Sequence, residues 1–163
     1  MKQVTIYTDG ACIGNPGPGG YGVVLLYESF RKELSQGYRR TTNNRMELMA
    51  AIAGLDALKE PCGVKLYSDS SYLVDNFTNG SARRWKANGW MRTRKLPALN
   101  PDLWDRLLIL CAFHQVEFVW VRGHAGNREN ERCDWLSNRA ARSASLQVDE
   151  GYEGVGSPEQ VSR

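Results

Sequence analysis

No stretch of this 163-residue sequence approaches the roughly 20 consecutive apolar residues that a membrane-spanning helix requires. The opening MKQVTIYTDG holds a single Lys and no long apolar segment, so it does not read as a secretory signal, and a cytoplasmic protein is the expectation. The cysteines, Cys12, Cys62, Cys111 and Cys133, are far apart and form no C-x-x-C pair. That spacing argues against a zinc site or a disulfide framework and for reduced thiols. No G-K-[ST] occurs, so there is no P-loop. Gly17, Gly19 and Gly22 satisfy G-x-G-x-x-G, but the strand-like VVLLY follows them. A dinucleotide fingerprint needs a helix there, to meet the pyrophosphate with its N-terminus.

What remains is the length and composition of one soluble domain, with 42% apolar and 24% charged residues. The net charge is +3 but unevenly spread: Leu146 to Arg163 carries −3, leaving +6 on residues 1–145. The densest basic run is RRWKANGWMRTRK at 83–95, with six Lys or Arg, two Trp and no acid. Basic residues interleaved with aromatics suit a nucleic-acid backbone. A solvated basic face is the competing reading of the charge.

The periodicity predicts an α/β domain. QVTIYTD alternates as a strand, and GYGVVLLYES and KELSQGYRRT follow as two more, forming an antiparallel meander. NNRMELMAAIAGLDALKE changes to helical spacing through Leu48, Ile52, Leu55 and Leu58, with Asn43 or Asn44 as the cap and Pro61 as the stop. GVKLYSDSS reads as a buried strand, and YLVDNFTN and the region of Trp85 as short helices. PDLWDRLLILCAFHQ is a helix opened by Pro101, VEFVWV a fifth strand and ENERCDWLSNRAAR a last helix. The order β-β-β-α-β-α-α-β-α implies a five-stranded mixed sheet, the meander extended by parallel strands and flanked by helices. Residues 143–163, rich in Gly, Ser and acids, are expected to be disordered or loosely packed.

The carboxylates carry the chemistry. Asp9 ends the first strand and Asp69 the fourth, and ligands of α/β sheets gather at strand C-termini. If these strands are parallel neighbours, both acids emerge at one edge, where their repulsion calls for a cation. Glu47 reads either as a third member or as the closing Glu of a capping box begun at Asn44. Asp134, in ERCDWL, reads either as a fourth or as an exposed helix acid. An all-oxygen cluster suits Mg²⁺, or Mn²⁺, rather than zinc. Such sites hold one ion, or two about 4 Å apart that act on phosphate esters. His124, in the Gly-flanked loop RGHAGN, is a lone imidazole after a strand end, placed to carry a proton.

The segments TDGACIGNPGPGGYG, TTNNRMELMAAI, SDSSYL, RRWKANGW and GHAGNRENERCD, in this order over residues 1 to about 142, resemble the bacterial type 1 ribonuclease H family. The resemblance implies the ribonuclease H-like fold, with a catalytic domain over 1–142 and a basic protrusion near 80–95. It implies an endonuclease that cuts the RNA strand of an RNA–DNA hybrid, leaving a 3′-hydroxyl and a 5′-phosphate, and that works as a monomer. Asp9, Glu47, Asp69 and Asp134 become the metal-holding carboxylates and His124 the mobile-loop histidine. Cys12, Asn15, Asn43 and Asn44 are implied near the minor groove, and Thr42 at a DNA-strand phosphate. Ser71 stands where the family often has Gln, two residues after the third carboxylate. Arg83, Arg84, Trp85, Lys86 and Trp90 are implied to grip the DNA strand. Two alternatives stand beside this reading. One is a DNA-cutting enzyme of the transposase or integrase kind on the same sheet; the other is a hybrid-binding module without catalysis.

Overall fold

The computed structural model describes residues 1–154. The chain runs through β1 (Lys2–Cys12), β2 (Gly17–Tyr27), β3 (Phe30–Thr41), α1 (Asn43–Asp56), β4 (Cys62–Ser68), α2 (Ser71–Thr78), α3 (Ser81–Ala87), α4 (Pro101–Phe113), β5 (Gln115–Trp120), α5 (Arg128–Ala141), β6 (Leu146–Gln147) and α6 (Glu150–Glu153). One sheet in the order β5-β4-β1-β2-β3-β6 unites the strands. β1, β2 and β3 form the antiparallel meander, and β4 runs parallel to β1 and β5. Strands one and four are thus the parallel neighbours on which a shared carboxylate edge depends.

Both faces of the sheet are covered, which explains why β2 does not alternate cleanly: Val23 and Val24 are both fully buried. Val23 and Ile6 meet α1, joined by Leu48, Leu55, Leu66, Leu73 and Trp104 in the main core. Val24 points the other way, into a smaller cluster with Cys133 and Leu136 beneath α5. α1 and α5 therefore clasp the sheet from opposite sides. Each fully buried Leu or Val contributes about 1.5–3 kcal/mol, so this double layer is the chief stabilising feature.

The structure corrects several expectations. Among the described residues the sheet has six strands rather than five, while the three helices expected between β4 and β5 are present. The cap of α1 is Thr42, whose Oγ1 accepts from the Arg45 N–H at 3.2 Å, not Asn43 or Asn44. With the helix starting at Asn43, its third residue is Arg45, so Glu47 closes no capping box. α1 also stops at Asp56, ahead of Pro61, and the intervening residues turn the chain into β4.

The largest correction concerns the acidic segment after α5. Residues 143–154 are not loosely attached. β6 pairs in parallel with β3 at Gly37 and Tyr38, and Asp149 is 2% exposed. The reason is a set of distant partners. Asp149 accepts from Arg45 Nε at 2.8 Å and from Thr41 Oγ1 at 2.7 Å, and Glu153 is forked by Arg39. The expectation for 155–163 falls outside the described residues.

Candidate active site

Asp9 lies on β1, where it pairs with Gly22 of β2, and is only 4% exposed. One Asp9 oxygen accepts from the Gly10 N–H at 2.9 Å. Gly10 faces the opposite side, and a Cβ there would come within 2.5 Å of the Glu47 nitrogen. Only glycine lets α1 cross β1 this closely, and the crossing delivers Glu47, also 4% exposed, to Asp9. Gly22 performs the same service on the other face. A Cβ on it would collide with the Cys133 carbonyl, so its absence lets α5 settle on β2 with Asp134 near enough for its charge to act on Asp9.

Asp69 follows the last residue of β4 and precedes Ser70, the cap of α2, whose hydroxyl accepts from Leu73 N–H at 3.1 Å. Its backbone carbonyl accepts from the Trp120 indole at 3.1 Å. Sequence reasoning missed Trp120. The signal for it was the parallel register, which sets Trp120 opposite Ser68 and so beside the residue that follows.

Carboxylate oxygens of Asp9, Glu47 and Asp69 all lie within 4.8 Å of one another. Asp134 stands outside that tight group. Its Oδ1 accepts from the Asn138 amide at 3.2 Å, yet its charge still bears on Asp9 and Glu47. Burial, followed by the charges of Asp69 and Asp134, pushes the Asp9 carboxyl up to about 8. Burial and then the Asp9 and Asp69 charges raise Glu47 well above the usual carboxylate range. Glu47 Oε1 is buried with no hydrogen-bond partner among the described residues. An orphaned, buried carboxylate oxygen in a cluster of like charge is expensive without a cation. Oxygen ligands alone fit a hard divalent ion such as Mg²⁺ or Mn²⁺.

His124 occupies the turn between β5 and α5, exposed, with a left-handed φ of 56°. The residues implied at the minor groove converge where the β1–β2 connection meets the start of α1. Asn15 Oδ1 accepts from the Asn43 N–H at 3.0 Å, Thr42 caps the helix, and Asn44 lies in its first turn. The Cys12 thiol faces the carbonyls of Gly17 and Thr41 at 3.5 and 3.4 Å. Ser71 is exposed at the first position of α2.

The basic run forms α3 and the loop after it. Trp85 packs edge-on against the buried Trp104 at 6.0 Å, and Trp90 also lies against the main core. These two rings anchor the segment to the domain. Arg83 lies over the Phe77 ring at 4.5 Å, Arg84 folds onto Asn79 and Ser81, and Lys86 pairs with Asp105 at 2.7 Å. Arg92, Arg94 and Lys95, in the loop beyond, are exposed.

Residues 1–142 match the RNase H family. The chain is 69% identical to Ribonuclease H of Syntrophus aciditrophicus over 152 residues, covering 93% of this chain and 88% of that protein. Its identity to Ribonuclease H of Desulforamulus reducens is 64% over 149 residues, covering 91% and 94%. Among solved structures, LC9-RNase H1, described as a type 1 RNase H with the type 2 active-site motif, superposes with a TM-score of 0.77 at 31% identity, covering 99% of this chain and 84% of that one.

Proposed function

The chain belongs to the ribonuclease H family, and from that premise we infer that it is an endonuclease hydrolysing the RNA strand of RNA–DNA hybrids. The observation that carries this reading is the convergence of Asp9, Glu47 and Asp69 within 4.8 Å, with one Glu47 oxygen buried and unpartnered. No purely structural role accounts for three carboxylates held together against their own repulsion.

Asp9, Glu47 and Asp69 hold the metal, and Asp134 completes the set from α5. The ion is Mg²⁺, with Mn²⁺ as a substitute, bound singly or as a pair. When bound, such ions activate water for attack on phosphorus and neutralise charge on the leaving oxygen. The chain's own residues do the rest. The Gly10 N–H orients Asp9, and the Trp120 indole fixes the backbone of Asp69. His124, exposed on its turn, takes up or releases the proton that the reaction moves.

Cys12, Asn15, Asn43, Asn44 and Ser71 meet the hybrid's minor groove, where short polar groups read 2′-hydroxyls across a wide, shallow surface. Thr42 and the first turn of α1 receive a DNA-strand phosphate. Arg83, Arg84 and Lys86, on the α3 platform held by Trp85 and Trp90, add sequence-independent affinity for the DNA strand. The protein acts as a monomer in the cytoplasm; no helix among the described residues is long and apolar enough to cross a membrane.

The test is gel-resolved digestion of an RNA–DNA hybrid with and without Mg²⁺, beside RNA–RNA and DNA–DNA duplexes. Metal-dependent cleavage of the RNA strand in the hybrid alone is expected. Hybrid affinity without cleavage would establish a binding module instead, and cleavage of duplex DNA would establish the integrase-like alternative.

A further inference from the structure

The sheet-facing side of α5 carries Asn130, Cys133, Leu136, Ser137, Ala140 and Ala141. Its other side repeats at helical spacing as Arg128, Arg132, Trp135 and Arg139, and reaches Arg142 at the C-cap. Trp135 is 49% exposed and sits next to Asp134 in the chain. The guanidinium carbon of Arg132 lies 4.5 Å from the Trp135 ring centroid and that of Arg139 lies 5.2 Å away. Arg132 is neutralised by Glu33, which accepts from it at 2.8 and 2.9 Å. Glu129 is likewise taken, by Arg31 at 2.7 Å. Among the described residues no carboxylate pairs with Arg128, Arg139 or Arg142, and Glu131 and Asp134 are the acids of the helix without an ion pair.

Helix stability does not account for this pattern. Arg139 and Arg142 suit the negative C-terminal end of the helix dipole, but Arg128 opens the helix, where a cation is disfavoured. An exposed Trp likewise contributes nothing to the core. Three uncompensated guanidinium groups in a row call for a polyanion, and an exposed indole among them offers a stacking surface. A paired duplex has no free base face to place there, whereas an unpaired strand does.

Building on the hybrid-cutting reading, we propose that the outward face of α5 holds a single strand that continues past the hybrid, with backbone phosphates on Arg128, Arg139 and Arg142 and one base stacked on Trp135. The stripe runs about 21 Å along the helix and shares that helix with Asp134. A strand leaving the active-site edge therefore reaches it without crossing the sheet. The surface gives preference for hybrids that end in unpaired nucleotides and adds no base specificity.

The experiment measures binding in EDTA by fluorescence anisotropy, so that no cleavage intervenes. Blunt hybrid is compared with the same hybrid carrying a 5′ or 3′ single-stranded extension of ~10 nucleotides, within the usual range of single-strand site sizes. The protein is expected to bind one extended form about fivefold to tenfold tighter than the blunt form, the gain of a single stacked base and a few phosphates. Trp135→Ala should cut that advantage severalfold, while Trp135→Phe retains most of it. The triple change Arg128→Gln, Arg139→Gln, Arg142→Gln should lower the salt slope for the extended form by about 2, since each single-strand phosphate contact contributes about 0.7. No advantage for any extension, or an advantage that survives in both the Ala and the triple variant, would overturn the proposal. Because the readout is binding without metal, failure of cleavage would count against the catalytic reading and leave this one standing.

Discussion

Arg45 and Glu47 stand two residues apart on α1, at 3% and 4% exposure, yet their charges are handled in opposite ways. Arg45 is fully satisfied. Its guanidinium donates to both oxygens of Asp102 at 2.9 and 2.7 Å, to both oxygens of Asp149 at 2.8 and 3.0 Å, and to Asn100. The charges that bear on Glu47 are those of Asp9, Asp69 and Asp134, and one of its oxygens has no hydrogen-bond partner among the described residues. The first arrangement ties the start of α1 to α4 and to the segment after β6. The second holds repulsion that a bound cation would relieve. A buried charge with opposite partners is architecture, whereas a buried charge among its own kind marks a place reserved for something else.

Breaking the repulsive cluster should have the largest effect on activity. Asp9→Asn is expected to abolish hybrid cleavage while leaving circular dichroism unchanged. In metal-free buffer it should match or exceed the native melting temperature, because a buried like charge is gone. Wild-type-like cleavage by this variant in Mg²⁺ would sink the site assignment.

Breaking the paired cluster should have the largest effect on stability. Asp149→Ala leaves Arg45 with Asp102 as its one charged partner among the described residues and orphans the Thr41 hydroxyl. A loss of about 3 kcal/mol is expected, read as a fall in melting temperature of roughly 10 °C. An unchanged melting temperature would show that residues 143–154 do not brace α1.

The contrast also has a pH signature. The Asp9 carboxyl is pushed up to about 8 in the folded protein, against an ordinary value of about 4 in the unfolded chain. Between those values the folded state binds the extra proton. The metal-free protein should therefore lose stability as pH rises from about 4 to 8, by at most about 1.4 kcal/mol per pH unit for this group. Mg²⁺ should flatten the slope, and Asp9→Asn should reduce it. Thermal melts in EDTA across that range decide the point, and a stability that climbs steadily to pH 8 would contradict the raised carboxyl.

The smallest effect is expected at the protrusion. Neutralising Arg83, Arg84 and Lys86 together should raise KM a few-fold and make its salt dependence shallower. The change should be modest because Lys86 already pairs with Asp105 and Arg83 rests on Phe77. A large fall in kcat at unchanged KM would contradict a phosphate-gripping role.

Legibility in the sequence followed the range of the interactions. The meander and α1 could be read because alternation and helical spacing are local signals. Asp9 and Asp69 could be placed because the apolar alternation of each segment runs out at them. Asp9 does not end β1, which continues to Cys12, but the parallel pairing of β1 with β4 ends at Thr8 and Ser68, just before the two acids. Local reading says nothing of how Trp85 and Trp90 are held: both are half-buried and set against the domain. Their packing depends on Trp104 and the main core, which no local pattern announces.

By itself, then, the amino-acid order determined the fold class, the aspartates Asp9 and Asp69 as partners, and two further acids as candidates to join them. Tertiary structure alone decided that Glu47 belongs with Asp9 and Asp69, because the crossing at Gly10 and not helix capping sets its position. It alone turned an acidic segment into a brace anchored by the buried Asp149. The carboxylate of Asp149 is worth burying only once Thr41 and Arg45, more than a hundred residues earlier in the chain, have been folded against it.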